Sequence, residues 1–320
     1  MDRKDRIMKY VKEYALVGFL VILCIIIAFV EPRFLTKDNF INLLIQVAIN
    51  AFIATGMTFV LLTGGIDLSV GPVCALTGIL GALLVKQMPP MNVGLTLLTG
   101  IALSVVIAVI VGGLTSIIIC QFKVAPFIAT LAMMNIARGV CYLLTNSKPV
   151  YELPDSFVWI GQGFAGPIPF IFILTFIVLV VSHIILSKTA YGRHIYAVGS
   201  NEEVAKLSGI SVNRIKTSVY MICAGLSAFA GICLCSKLGT GQPGAADGYE
   251  QYAIAAAVMG GTSLAGGTGG IKNTIIGIIA IGIINNGLSL MQVNSYWQKV
   301  AMGVIIAFAV IMDRLKVQAE

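Results

Sequence analysis

Ten runs of apolar residues divide this chain, and their length limits it to a narrow set of folds. They cover about residues 14–30, 41–63, 68–86, 92–119, 124–145, 168–187, 217–237, 253–265, 271–291 and 297–312. A bilayer core takes about 20 apolar residues per helical crossing. Inside lipid a segment must satisfy its own backbone hydrogen bonds, so each run predicts a helix. The composition agrees, with 58% of the 320 residues hydrophobic and 11% charged, against roughly a quarter charged in soluble domains. The expected fold class is an all-α integral membrane protein of about ten transmembrane helices. Residues 1–320 form one transmembrane domain, with no soluble domain left over.

The net charge of +7 raises the question of nucleic acid, but the placement of the charges answers it. Arg3, Lys4, Arg6, Lys9 and Lys12 crowd the N-terminus. Lys188, Arg193, Lys206, Arg214 and Lys216 lie in or beside one polar segment, and Arg314 and Lys316 close the chain. Basic residues gather in this way on the cytoplasmic side of a membrane protein. Ten crossings starting inside return the C-terminus to the inside and place residues 188–216 there too, so both termini and that loop are expected to be cytoplasmic. No nucleic-acid partner follows. Cys24, Cys74, Cys120, Cys141, Cys223, Cys233 and Cys235 all fall in or at the ends of apolar runs. They form no CxxC pair or zinc-like cluster with histidine, so they read as small core residues. No metal site or cofactor is expected.

The eighth run, 253–265, is short and rich in glycine, so a re-entrant or half-helix is an alternative to a full span there. It also belongs to an internal repeat. QVAINAFIATGMTFVLLTGGI (46–66) aligns without gaps to QYAIAAAVMGGTSLAGGTGGI (251–271). Duplicated halves around a central path are a frequent transporter plan.

The chain has no GxxxxGK[ST] phosphate loop. The glycines of GGTSLAGGTGGIK suit close helix packing instead. With two histidines, His183 and His194, and no Ser/His/Asp arrangement, no catalytic residue is expected. Polar residues inside spans are costly and face protein or a cavity. They are Gln46 and Asn50 in the second run, Asn135 and Arg138 in the fifth, and Asn285 and Asn286 in the ninth. For the amides, helix–helix hydrogen bonds and the lining of a solute path stand equally open, while Arg138 reads as a structural contact. An ion-coupled carrier would be expected to place carboxylates at mid-membrane, and only Asp67 comes close. In GGIDLSVG, Asp67 and Ser69 sit at a helix start, where a helix cap and a gating role are both readable. A path lined by amides and hydroxyls suits a neutral polyhydroxylated solute.

The polar segment GRHIYAVGSNEEVAKLSGISVNRIK (192–216) stands apart in this apolar chain. Asn201 or Ser200 can cap a short helix that begins at Glu202 and Glu203, whose charges suit the positive helix end. Gly209 can stop it in the left-handed conformation. The helix carries Val204 and Leu207, with Ile210 beyond, for burial. It is shaped to sit in another protein's groove, and an ordinary surface helix is the plainer reading.

Within it, EVAKLSG (203–209) looks like the EAAxxxG loop by which permeases of ABC importers engage their ATPase, with Val204 in place of the first Ala. Further blocks are GMTFVLLTGGIDLSVG (56–71), APFIATLAMMNIARG (125–139), YEQYAIAAAVMGGTSLAGG (249–267) and INNGLSLMQV (284–293). In order and spacing the chain resembles the ribose-type sugar permeases of bacterial ABC importers over nearly its whole length. That resemblance implies a multi-pass protein of the bacterial plasma (inner) membrane, paired with a second copy in the lipid bilayer. It implies an extracytoplasmic sugar-binding protein outside and an ABC ATPase subunit inside, holding the cytoplasmic coupling loop 188–216. Glu203, Ala205 and Gly209 carry the coupling motif, with Glu202 and Leu207 beside them. The implied solute is a neutral monosaccharide, D-ribose first, with other pentoses, hexoses, autoinducer-type furanoses or nucleosides as alternatives. A self-sufficient carrier or channel, or a non-transporting scaffold, are readings of other classes.

Overall fold

The computed structural model describes residue 18 and residues 20–317, with side chains as far as 311. The basic residues Arg3 to Lys12, the first part of the run 14–30, and the side chains of Arg314 and Lys316 lie outside the described residues. The first helix among the described residues is α1 (Leu20–Val30), followed by α2 (Lys37–Leu62), α3 (Val70–Gln87), α4 (Val93–Cys120) and α5 (Pro126–Thr145). A short helix α6 (Asp155–Gln162) and a hairpin of β1 (Phe164–Ala165) and β2 (Ile168–Pro169) lead into α7 (Phe170–Lys188). Two helices of the polar segment come next, α8 (Ala190–Ser200) and α9 (Glu202–Leu207). Then follow α10 (Val212–Leu238), α11 (Tyr249–Met259), α12 (Ile271–Leu290) and α13 (Ser295–Val317).

Seven of these helices, α2, α3, α4, α5, α7, α10 and α12, are long and apolar enough to cross a membrane, among the described residues. The three other expected spans differ for separate reasons. The start of the first run is not described, and in α13 the side chains are described only as far as Ile311. The eighth run is the informative case. Its helix starts early, at Tyr249, and stops at Met259, so residues 260–265 of the expected span are not helical. Eleven residues rise about 16 Å, half of a bilayer core of about 30 Å. The half-helix is the form the structure takes.

The core gathers around α10, which packs on α2, α3 and α4. Backbones meet closely there, because an added Cβ on Gly231 would lie 2.0 Å from the Cys74 carbonyl oxygen of α3. Small residues at such a crossing bring helices together where lipid offers no hydrophobic drive. Phe52 of α2 meets Phe229 of α10 edge to face at 5.1 Å. By contrast α5 and α7 turn large apolar side chains outward, among them Ile128, Ile136, Phe176 and Ile184.

α2 and α12 run antiparallel. Asn39 pairs with Asn286 at one end and Thr58 with Thr274 (2.9 Å) near the other. α11 also packs antiparallel on α12, with Ala256 against Gly277 and Gly260 against Asn273. The two copies of the repeat therefore run in the same direction, side by side on one helix.

Candidate functional site

Local sequence builds the polar segment into a platform. Thr189 Oγ1 accepts the Gly192 N–H at 3.1 Å and starts α8, whose inner face carries Ile195 and Val198, both buried. One residue, Asn201, separates α8 from α9. Its Oδ1 accepts the N–H groups of Glu203 (3.0 Å) and Val204 (3.1 Å), so Asn201 is the cap. Ser200 instead donates its hydroxyl to the Tyr196 carbonyl at 2.9 Å. The far end closes at Gly209, where φ is +82°. Its N–H donates to Lys206 O, and the Ile210 N–H to Ala205 O, both at 3.0 Å. These bonds satisfy carbonyls that a helix end leaves free.

The short helix α9 has two unlike faces. Ala205 is 3% exposed and packs into the chain's own core, so its small side chain seats α9 on the bundle. Leu207 is 88% and Val204 58% exposed, beside exposed Glu202, Glu203 and Lys206. Glu202 pairs with Lys216 of α10, fixing the orientation of α9. An anchored helix that leaves two aliphatic side chains uncovered has the form of a docking knob.

The C-terminal end of α8 sits against both copies of the repeat, a junction the sequence reading missed. Gly199 lies against the Leu62 carbonyl at the end of α2 and the Gly267 N–H of the 260–270 loop. Gly267 N–H donates to Leu62 O at 3.0 Å, and the Tyr196 hydroxyl donates to Gly269 O at 3.0 Å. A signal for α8 was present, since Tyr191, Ile195 and Val198 follow helical spacing.

The expected polar residues occupy varied places. Gln46 and Asn50 are half-buried on α2, while Asn135 is exposed on α5 and donates to Leu131 O of its own helix at 2.9 Å. Asn285 and Asn286 are buried on α12. Asn286 exchanges two hydrogen bonds with Asn39, of 3.0 and 2.8 Å, and Asn39 also donates to Phe34 O. Asp67 is buried and accepts the Ser69 N–H (2.9 Å) and hydroxyl (2.6 Å). That closes the turn into α3, where Ser69 holds the cap position without a side-chain cap bond. Arg138 donates to the Pro243 and Ala245 carbonyls at 2.7 and 2.9 Å, tying α5 to the segment before α11. Asp247 pairs with Lys299 of α13 at 2.9 Å. Neither Asp247 nor Lys299 was singled out from the sequence, because Asp247 lies between two apolar runs and Lys299 at the start of another.

Comparison with known proteins gives the arrangement a family. The family described as "Branched-chain amino acid transport system / permease component" matches residues 39–310. The ribose import permease protein RbsC of Escherichia coli strain K12 is 42% identical over 301 residues, which is 93% of this chain and 92% of that one. RbsC of Bacillus subtilis strain 168 is 44% identical over 308 residues, 93% and 91% of the two chains. The L-arabinose transport system permease protein AraH of Escherichia coli strain K12 is 34% identical over 308 residues, 96% and 92%. No solved structure matches.

Proposed function

We propose, from the premise that the chain belongs to this permease family, that it is the membrane subunit of an ATP-driven importer of D-ribose. Membership makes it a multi-pass inner-membrane transporter component rather than an enzyme, served by an ATPase subunit and a substrate-binding protein. The observation that carries the mechanism is α9, a capped helix seated by Ala205 that offers exposed Leu207 and Val204. The choice of ribose rests on the ribose import permeases that are 42–44% identical.

In this reading the ATPase holds residues 188–216 on the cytoplasmic face, with both termini on that side. Leu207 and Val204 fill a groove in the ATPase, and Glu202 and Glu203 flank it with charge. Gly209 lets the chain turn back into α10. Two copies enclose the path in the bilayer, and the sugar-binding protein docks at the opposite face. Gln46, Asn50, Asn135 and Asn285 supply hydrogen bonds to a neutral sugar along the way. Asn286, held by Asn39, serves helix packing, and Asp67 with Ser69 fixes the turn into α3. The path needs no tight site of its own. The binding protein selects the solute, and ATP shifts the population between inward- and outward-facing states.

The test is uptake of labelled solute into proteoliposomes that hold this chain, its ATPase and its binding protein. Ribose uptake that requires ATP and is lost in Leu207→Asp and Gly209→Val, with both variants still folded, supports the reading. ATP-driven uptake of arabinose or of a branched-chain amino acid instead of ribose would change the solute alone. Uptake without ATP or partners would make the chain a self-sufficient carrier.

A further inference from the structure

We propose that Tyr196 is a positioning residue that links α9 to the 260–270 loop, making that loop the element that the ATPase moves. This rests on the function proposed above. α9 lies at the surface, so movement imposed on it must pass through neighbouring elements. One route is α10, which Glu202 reaches through Lys216; the other is α8, joined to α9 by the single residue Asn201, whose N–H also bonds back to Ala197 O.

α8 then meets two different structures. One is the end of α2, where Phe59, Val60, Leu61 and Leu62 are at most 1% exposed and the helix is unbroken. The other is the loop, where Gly261, Gly266, Gly267, Gly269 and Gly270 all have positive φ. No helical hydrogen-bond ladder runs through it, and Ala265 and Thr268 are exposed. The loop is tied within itself by the Ser263 N–H to Thr268 O and to α2 by the Gly267 N–H to Leu62 O, but it lacks the continuous ladder of α2, so of the two it is the element with room to yield. Gly199 sets the closeness of this contact, since an added Cβ there would overlap the Leu62 carbonyl oxygen. The Tyr196 hydroxyl supplies the directed link, its bond to Gly269 O. Burial raises the Tyr196 pKa above the ordinary phenol value, so the hydroxyl stays a donor at physiological pH.

The test is Tyr196→Phe, which keeps the ring and removes the bond, read in two ways. In the reconstituted transporter, solute moved per ATP hydrolysed should fall about fivefold, the worth of one ordinary hydrogen bond, while assembly and hydrolysis rate stay at wild-type levels. In the full chain alone, amide hydrogen exchange across 260–270 should speed up while α10 is unchanged. An unchanged ratio, or uptake and hydrolysis falling together, would overturn the proposal, as would unaltered exchange in the loop. If the wild-type transporter shows no ATP-driven uptake, the proposed function fails, and the exchange measurement alone decides the Tyr196 link.

Discussion

The two copies of the repeat share a sequence pattern and a direction but not a backbone. Residues 46–62 are helical without interruption and end in a tight turn at TGGI. The aligned residues 251–267 are helical only to Met259, and the chain then runs through an irregular loop to TGGI at 268–271. The divergence falls at one block. TGMTFVLL (55–62) contains a single glycine and five large apolar residues, all buried, whereas GGTSLAGG (260–267) contains four glycines. Each glycine costs a helix about 1 kcal/mol relative to alanine, so the second block starts about 3 kcal/mol worse. It also has few large side chains with which packing could restore the loss. The first copy became frame and the second became a short helix on a pliant loop.

The largest predicted contrast comes from one pair of equivalent positions. Gly56→Leu drives a side chain into the backbone of Cys223, because even a Cβ would lie 2.9 Å from its Cα. Overpacking of that kind costs about 1–3 kcal/mol or more, and size-exclusion chromatography should show loss of the folded monodisperse protein. Gly261→Leu meets only the Asn273 side-chain amide, 3.9 Å from the added Cβ, but carries φ +95°, so it costs about 1–2 kcal/mol of backbone strain. It should fold, with a lower thermal midpoint and reduced uptake. Equal outcomes at the two positions would break the comparison.

A middling effect is expected where α2 meets α12. Asn286→Leu strands the Asn39 amide and should cost about 1–3 kcal/mol, whereas pairing it with Asn39→Leu removes both partners and should recover most of the thermal midpoint. Recovered stability with normal uptake would assign Asn286 to packing alone. The smallest effect belongs to Asp247→Asn. Both members of that ion pair are about two-thirds exposed, so the thermal midpoint should not move.

What the sequence made legible was local. Asn201 and Gly209 bracket α9 because caps act within three or four residues, and the break near 260 was foreshadowed by its glycines. Distant partners were not legible. Asn39 lies just before the second apolar run and 247 residues from Asn286, and Tyr196 is 73 residues from Gly269. Nothing in either local pattern announces such a partner. Ala205 shows the same limit from another side. Its small size was readable, but only the fold shows that the surface it approaches is the chain's own core.

In the proposed coupling the 260–270 loop moves with α9 while its counterpart in α2 stays still. The most direct measurement is amide hydrogen exchange of the assembled transporter with and without ATP. Exchange should change together in 201–211 and 260–270 while 46–62 remains protected. A loop that stays unchanged, or an α2 that changes as much as the loop, would contradict the coupling.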